Sequence, residues 1–316
     1  MKFYLYTPNN FDNYLPLLLY KKSIENIVKN NIQGDIKLIN ENDQINYDNE
    51  TIFITFSIHL TKNIFNILSE KKLKCIIINT ESIYNFQVNE ILNIINNSNN
   101  SNFYIFEYNC INIKYIQTNL QNIKYYYLPL LYNNYLIEYY NNIIHNKIEF
   151  KNKFYDILFY GSPNHRRDNI IDHLSIKYNV FYVKGIGNSE HNNSELTKLI
   201  ENSKIVLNVY YYEHNFIFDY YRLAYLIANK AFIINEYPRD IDFSIDTNLI
   251  DVDKYTVSVE YSKIIETVDK YMEIYKSDPD QIEQIKKTQL EWFSKYKMED
   301  EFIKIYEDMI RINDSH

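Results

Sequence analysis

FYGSPNHRRDN occupies Phe159–Asn169, and it follows the apolar strand-like run that begins at Tyr155. The chain has only four glycines, so Gly161 at the end of such a run is a positional statement. Glycine lets a backbone turn sharply and lets a ligand approach it closely. Asn and two arginines then lead into a helical pattern over Arg167–Tyr178. This is a strand–turn–helix unit. The free N–H groups of a helix's first turn make a ready site for an anion. Ser162 can donate a hydroxyl there, and Arg166 and Arg167 add positive charge. The competing reading is an ordinary turn with a solvated arginine pair. The stretch matches neither a Walker A motif nor the GxGxxG dinucleotide fingerprint.

The same alternation extends on both sides. Downstream, strands are expected at Val180–Val183, Ile205–Tyr210 and Ala231–Asn235, with an edge strand at Leu249–Val252. Helices are expected at Glu195–Asn202 and Ile217–Ala228 between them. Upstream, strands are expected at Lys2–Tyr6, Asp35–Ile39, Thr51–Phe56, Cys75–Ile78, Phe103–Phe106 and Lys124–Leu128. Helices at Tyr14–Asn30, Lys62–Lys72 and Val88–Ile95 separate them. Short apolar strands alternating with helices indicate parallel sheets wound by helices. The expected fold class is therefore α/β, with two Rossmann-like doubly wound domains facing a cleft and C-terminal helices.

The length of 316 residues suits two domains. The expected divisions are 1–130, a connection at 131–153 carrying a helix at Tyr135–Ile144, a second domain at 154–296, and a last helix within 297–316. Helices are expected at Ser262–Tyr275, Pro279–Tyr296 and Glu299–Arg311. Asp278-Pro279 is a strong helix start, with Asp as cap and Pro at the first helical position.

Composition narrows the function. Net charge is −8 with no extended Lys/Arg cluster, which argues against nucleic acid as the main ligand. No apolar stretch reaches the roughly 18 residues that span a bilayer, so a soluble intracellular protein is expected. The 33 tyrosines, with abundant Asn, Ile and Lys, read as AT-rich coding bias rather than as a binding signature. Cys75 and Cys110 are far apart in apolar surroundings and read as two buried free thiols in a reducing compartment. Nothing in the spacing suggests a metal-ligand cluster.

Open α/β sheets bind ligands at the carboxyl ends of their strands. Gly185 and Gly187 follow the Val180–Val183 strand and would let a loop pass close to a base or ribose, or would simply be flexible. Beyond Ile205–Tyr210 come Glu213 and His214, then Asp219 and Arg222, three apart on one helix face. A carboxylate there can accept both ribose hydroxyls, and an arginine can fork onto phosphate. The bland alternatives are an intrahelical ion pair for Asp219 and Arg222, and exposure for Glu213 and His214. Glu236 ends the next strand. In the first half, His59 and Glu81 follow strands and are candidates for a general base.

The ordered set DILFYGSPNHRRDNIIDHL, KIVLNVYYYE and RLAYLIANKAFIINE resembles the carboxyl-terminal half of GT-B glycosyltransferases. The branch in question reads roughly FYGS-x-N-x-RR, LN-x-x-YYE, R-x-x-x-LLAN, SE. In the first half INTES (Ile78–Ser82), IFEYNCINI (Ile105–Ile113) and YYYLPLLY (Tyr125–Tyr132) are similar to that branch's NxEQ, DYSxxN and PxGY segments. The resemblance implies transfer of a sugar from a nucleotide-diphosphate donor, a UDP-sugar, to a glycan or protein acceptor. It implies a donor on the second domain, an acceptor on the first, a last helix within 297–316 that crosses back to the first domain, and neither metal nor cofactor. By the match, Gly161 and Ser162 would contact donor phosphates, with Arg166 or Arg167 and Arg222 as charge partners, and Asp219 would hold the ribose. His59, Glu81 and Glu213 are the catalytic candidates, and Gly185 and His214 complete the donor set. Two departures stand out. The acid expected eight positions beyond Glu213 is Tyr221, and the glutamine expected after Glu81 is Ser82. A non-catalytic nucleotide- or glycan-binding module on the same scaffold is the alternative reading.

Overall fold

The computed structural model describes residues 2–7, 15–40, 43, 50–81, 86–98, 102–144, 152–184, 193–211, 213, 220–237, 254 and 256–314. The chain divides into two compact units. The first comprises Met1–Asp12, Tyr20–Leu130 and Met298–His316, and the second Asn13–Leu19 and Leu131–Lys297.

In the first unit the strands are β1 (Lys2–Tyr6), β2 (Asp35–Ile39), β3 (Thr51–Phe56), β4 (Lys74–Ile78), β5 (Phe103–Glu107) and β6 (Lys124–Tyr127). All neighbours pair in parallel, in the order β2-β1-β3-β4-β5-β6. Every residue of β3 and β5 is buried, as expected of central strands covered on both faces. Helices α1 (Leu15–Ile27), whose residues up to Leu19 belong to the second unit, α2 (Lys62–Glu70), α3 (Phe86–Asn97) and α4 (Cys110–Asn119) accompany them. Phe65, Leu68, Ile91, Leu92 and Ile116 pack with Phe53, Ile77, Phe103 and Ile105 in one core. Each such side chain contributes about 1.5–3 kcal/mol on burial.

The second unit opens with α5 (Asn134–Ile143) and continues β7 (Tyr155–Gly161), α6 (His165–Ser175), β8 (Val180–Lys184), α7 (Asn193–Glu201), β9 (Ser203–Asn208), α8 (Tyr220–Ala228), β10 (Ile233–Glu236) and β11 (Val257–Val259). Its parallel sheet runs β11-β10-β9-β7-β8. Helices α9 (Ile264–Ser277) and α10 (Pro279–Phe293) follow, and α11 (Met298–Asp314) belongs to the first unit. There Phe302 is fully buried with its ring edge-on to Phe106 at 5.7 Å, and Tyr306 lies 5.9 Å from Phe3. In both sheets the chain starts in the interior, steps to one side, then returns to build the other. That reversal places a switch point between β1 and β3 and between β7 and β9.

Several elements differ from the sequence reading for identifiable reasons. The first helix ends at Ile27 and runs on as a π-helical turn, Val28–Ile32, closed by Gln33 in a left-handed conformation. Helix α6 begins at His165 rather than Arg167, because the Asn164 side chain accepts from the Arg167 N–H and caps it. Helix α4 had no counterpart in the sequence reading; Asn109 caps it by accepting from the Ile111 N–H. The edge strand paired with β10 is Val257–Val259; the segment expected as an edge, Leu249–Val252, lies outside the described residues. Cys75 is buried and burial pushes its thiol pKa up, whereas Cys110, in the first turn of α4, is only partly covered. Among the described residues no helix is long and apolar enough to cross a membrane.

Candidate functional site

Among the described residues, the carboxyl edge of the second sheet brings together Gly161, Arg166, Arg167, Arg222 and Glu236. Gly161 ends β7 with φ at +150°, a conformation that L side chains rarely adopt. A Cβ there would lie 3.1 Å from the Arg167 Nη1 and 3.7 Å from an Arg222 Nη2. Two guanidinium groups thus converge beside one side-chain-free backbone position. The first turn of α6 begins four residues on. Replacing Gly161 with Ala is expected to cost about 1–3 kcal/mol of stability from backbone conformation alone. A denaturant midpoint unchanged from the parent would contradict that.

The arginine pair is not solvated. Arg167 is buried; its Nε donates to the Val209 carbonyl and its Nη1 to the Ser162 carbonyl, both at 2.9 Å. Its guanidinium lies over the rings of Phe159 and Tyr211. Arg166 faces elsewhere. It forks onto the Glu236 carboxylate, with Nη1 2.7 Å from Oε2 and Nη2 on Oε1. Its Nη1 also donates to the Tyr210 carbonyl, and its guanidinium sits 3.9 Å over Tyr261. Successive residues on a helix point about 100° apart, so an adjacent pair reaches two different surroundings. Arg222, in the first turn of α8, donates from Nη1 to the Asn208 Oδ1 at 2.9 Å and lies over Tyr160 at 4.7 Å. Ser162 is exposed, as is Glu213. Gly185, His214 and Asp219 lie outside the described residues.

In the first unit, His59 and Glu81 follow the neighbouring strands β3 and β4. His59 is buried, its ring edge-on to Phe56 at 5.7 Å. Burial, aided by the Lys21 charge, pulls its pKa down to about 4, so the imidazole is neutral at neutral pH. The Glu81 side chain is partly exposed while its backbone is pinned: its carbonyl accepts from the Asn79 Nδ2 at 3.0 Å and the Asn112 Nδ2 at 2.8 Å. A Ser57–Asn79 hydrogen bond of 2.8 Å ties the two strand ends together.

Beneath them lies a group that sequence reasoning missed. Glu107, at the end of β5, is fully buried. Its carboxylate accepts from the Asn79 and Asn112 side chains and from the Tyr108 and Asn109 backbone N–H groups. Burial lifts its pKa to about 8 against the pull of those four donors. A charged residue closing an otherwise apolar strand was the available signal.

No protein-family model matches the chain. An uncharacterized protein of Acanthamoeba polyphaga mimivirus is 27% identical over 221 residues, 70% of each chain. Sucrose-phosphate synthase from Thermosynechococcus elongatus superposes over the full length of both chains with a TM-score of 0.60 and 8% identity. The β-glucosyltransferase of T4 phage gives 0.54 at 12% identity over 96% of this chain and 99% of that one. This is the GT-B fold. A UDP-forming trehalose-phosphate synthase from Burkholderia xenovorans shares it at a TM-score of 0.52, with 8% identity over 82% of this chain and 74% of its own. A DNA-modifying β-glucosyltransferase, crystallised in the presence and absence of its substrate uridine diphosphoglucose, gives a TM-score of 0.52 at 12% identity over 93% of this chain and 94% of that one. The switch point of the second sheet, between β7 and β9, is where Gly161, Arg167, Asn208 and Arg222 meet.

Proposed function

We propose that the protein is a metal-independent glycosyltransferase that moves a sugar from a nucleoside-diphosphate sugar, a UDP-sugar, to a glycan or protein acceptor. The observation that carries this reading is the convergence of Arg167, Arg222 and the α6 N-terminus on Gly161 at a switch point. A diphosphate leaving group carries away negative charge as the glycosidic bond breaks. Fixed guanidinium groups and oriented N–H groups stabilise that charge without a metal ion. In this reading Arg167 and Arg222 serve the diphosphate. Arg166 instead holds the sheet edge, because Glu236 matches its charge. Ser162 adds a hydroxyl at the mouth of the turn, and Asp219, Gly185 and His214 complete the donor side. His59, Glu81 and Glu213 remain the candidates for proton transfer from the acceptor.

The test is thermal unfolding and calorimetric binding with UDP, GDP, dTDP and their sugars, with and without EDTA. We expect stabilisation by UDP that EDTA does not change. Arg222→Ala should weaken UDP binding roughly 10–100-fold, the worth of one charge-assisted hydrogen bond of about 1.5–3 kcal/mol. In the absence of ligand it should cost about 1–3 kcal/mol of stability, because the buried Asn208 Oδ1 loses its donor. An Arg222→Ala protein that binds UDP as the parent does would remove the diphosphate from this edge. Binding of a UDP-sugar without any release of sugar would favour a nucleotide-binding module on the same scaffold.

A further inference from the structure

Three neighbouring strands of the second sheet carry amides or a hydroxyl in one rung near their carboxyl ends. Asn208 ends β9, Asn235 lies beside it on β10, and Ser258 lies beside Asn235 on β11, each pair in direct register. Asn208 and Asn235 are 2% and 0% exposed. Buried amides are costly unless hydrogen-bonded, so a row of them at a ligand-binding edge needs an account. Here each is engaged. The Asn208 Nδ2 donates to the Asn235 Oδ1 at 2.7 Å. The Asn235 Nδ2 reaches the Ser258 hydroxyl at 3.4 Å, and that hydroxyl is 2.8 Å from the Thr256 hydroxyl. At the other end the Asn208 Oδ1 accepts from the Arg222 Nη1.

The direction of the row is fixed by Arg222. A guanidinium can only donate, so Asn208 must present its oxygen and turn its NH₂ to Asn235. That in turn sets Asn235. The molecule also shows what the alternative looks like. One residue further along β10, Glu236 meets Arg166 with a carboxylate and matches its charge. At Arg222 a neutral amide holds the Nη1, and the Nη2 lies near Gly161. The Tyr160 ring beneath it orients the guanidinium plane without contributing a formal charge.

We infer that Asn208, backed by Asn235 and Ser258, is a positioning residue that aims Arg222 at the phosphates of the bound nucleotide while contributing no negative charge of its own. The inference rests on the donor site proposed above. It predicts that charge, not shape, is the sensitive property at position 208.

The experiment compares Asn208→Asp with the parent in UDP and uridine binding and in donor KM and kcat. Asp is nearly isosteric and still accepts from Arg222, but it can no longer donate to the Asn235 Oδ1, so the Asn235 amide must turn, and it places a carboxylate where the phosphates compete. We expect UDP affinity to fall at least 10-fold, with uridine affinity within about twofold of the parent and the loss appearing in donor KM. A folded Asn208→Asp protein that binds UDP as tightly as the parent overturns the inference. So does an equal loss for UDP and uridine, which would mark a merely structural role. If Asn208→Asp does not fold, Asn235→Ala decides. It frees the Asn208 amide to turn, and a severalfold loss of UDP affinity is expected; parental affinity would exclude a role for the rung. A parent that binds no UDP at all is a different result, because it removes the donor site itself.

Discussion

Replacing Arg166 with alanine will destabilise the second unit by about 3–5 kcal/mol, the cost of leaving a buried carboxylate without its partner. Glu236 is 2% exposed. With Arg166 gone, its remaining hydrogen bond is the one from the Tyr210 N–H at 3.0 Å. The Tyr210 carbonyl also loses its donor. Lysine will not restore the interaction, because an ammonium cannot fork onto both carboxylate oxygens or lie flat over Tyr261. Adding Glu236→Gln to Arg166→Ala removes the unpaired charge and should recover part of the loss. The denaturant midpoints of parent, single and double variants form the check. An Arg166→Ala protein within 1 kcal/mol of the parent would mean that water or a local shift satisfies Glu236.

That pair also shows where the sequence was legible and where it was not. Strands such as Thr51–Phe56 and the Asp278-Pro279 helix start were readable because their causes are local: an unbroken apolar run, and a cap followed by proline. Gly161 was readable because scarcity made its position informative. The partners of the arginines were not. Arg166 meets Glu236 at a separation of 70 residues, and Arg167 meets Val209 at 42. Neither pairing leaves a trace in spacing. Helix α4 was hidden for a related reason. Its Asn112 is fully buried, yet it reads as a polar interruption of the isoleucines around it. Its place becomes intelligible only once Glu107 and the Glu81 carbonyl are beside it. Glu107 itself looks like a solvent-facing strand end until β4 and α4 supply Asn79 and Asn112 to enclose it.

Glu107 leads to an expectation about pH. Its carboxyl titrates near 8 in the folded chain and in the ordinary carboxylate range once unfolded. Between those values the folded state holds a proton that the unfolded chain has released. Stability from this group is therefore complete at low pH and is lost as pH rises through 8, by about 1.4 kcal/mol per pH unit and about 5 kcal/mol in all. His59 works in the opposite sense. Its folded pKa of about 4 lies below the ordinary value of 6.5, so stability from it rises with pH between those limits. The two slopes oppose one another up to pH 6.5, and above it Glu107 acts without His59. Lys153, lowered by burial to about 8, enters only beyond that. Unfolding free energy should thus fall by about 2 kcal/mol between pH 6.5 and 8. Glu107→Gln should be less stable than the parent at acid pH, because its amide nitrogen faces the Asn79 donor. Over the same interval, however, its stability should be level. A parent whose stability does not fall from pH 6.5 to 8, or a Glu107→Gln variant that falls equally, would show that the four donors keep the carboxylate ionised in the fold. Glu107 would then be a fixed negative charge beneath the His59 and Glu81 loops rather than a neutral acid.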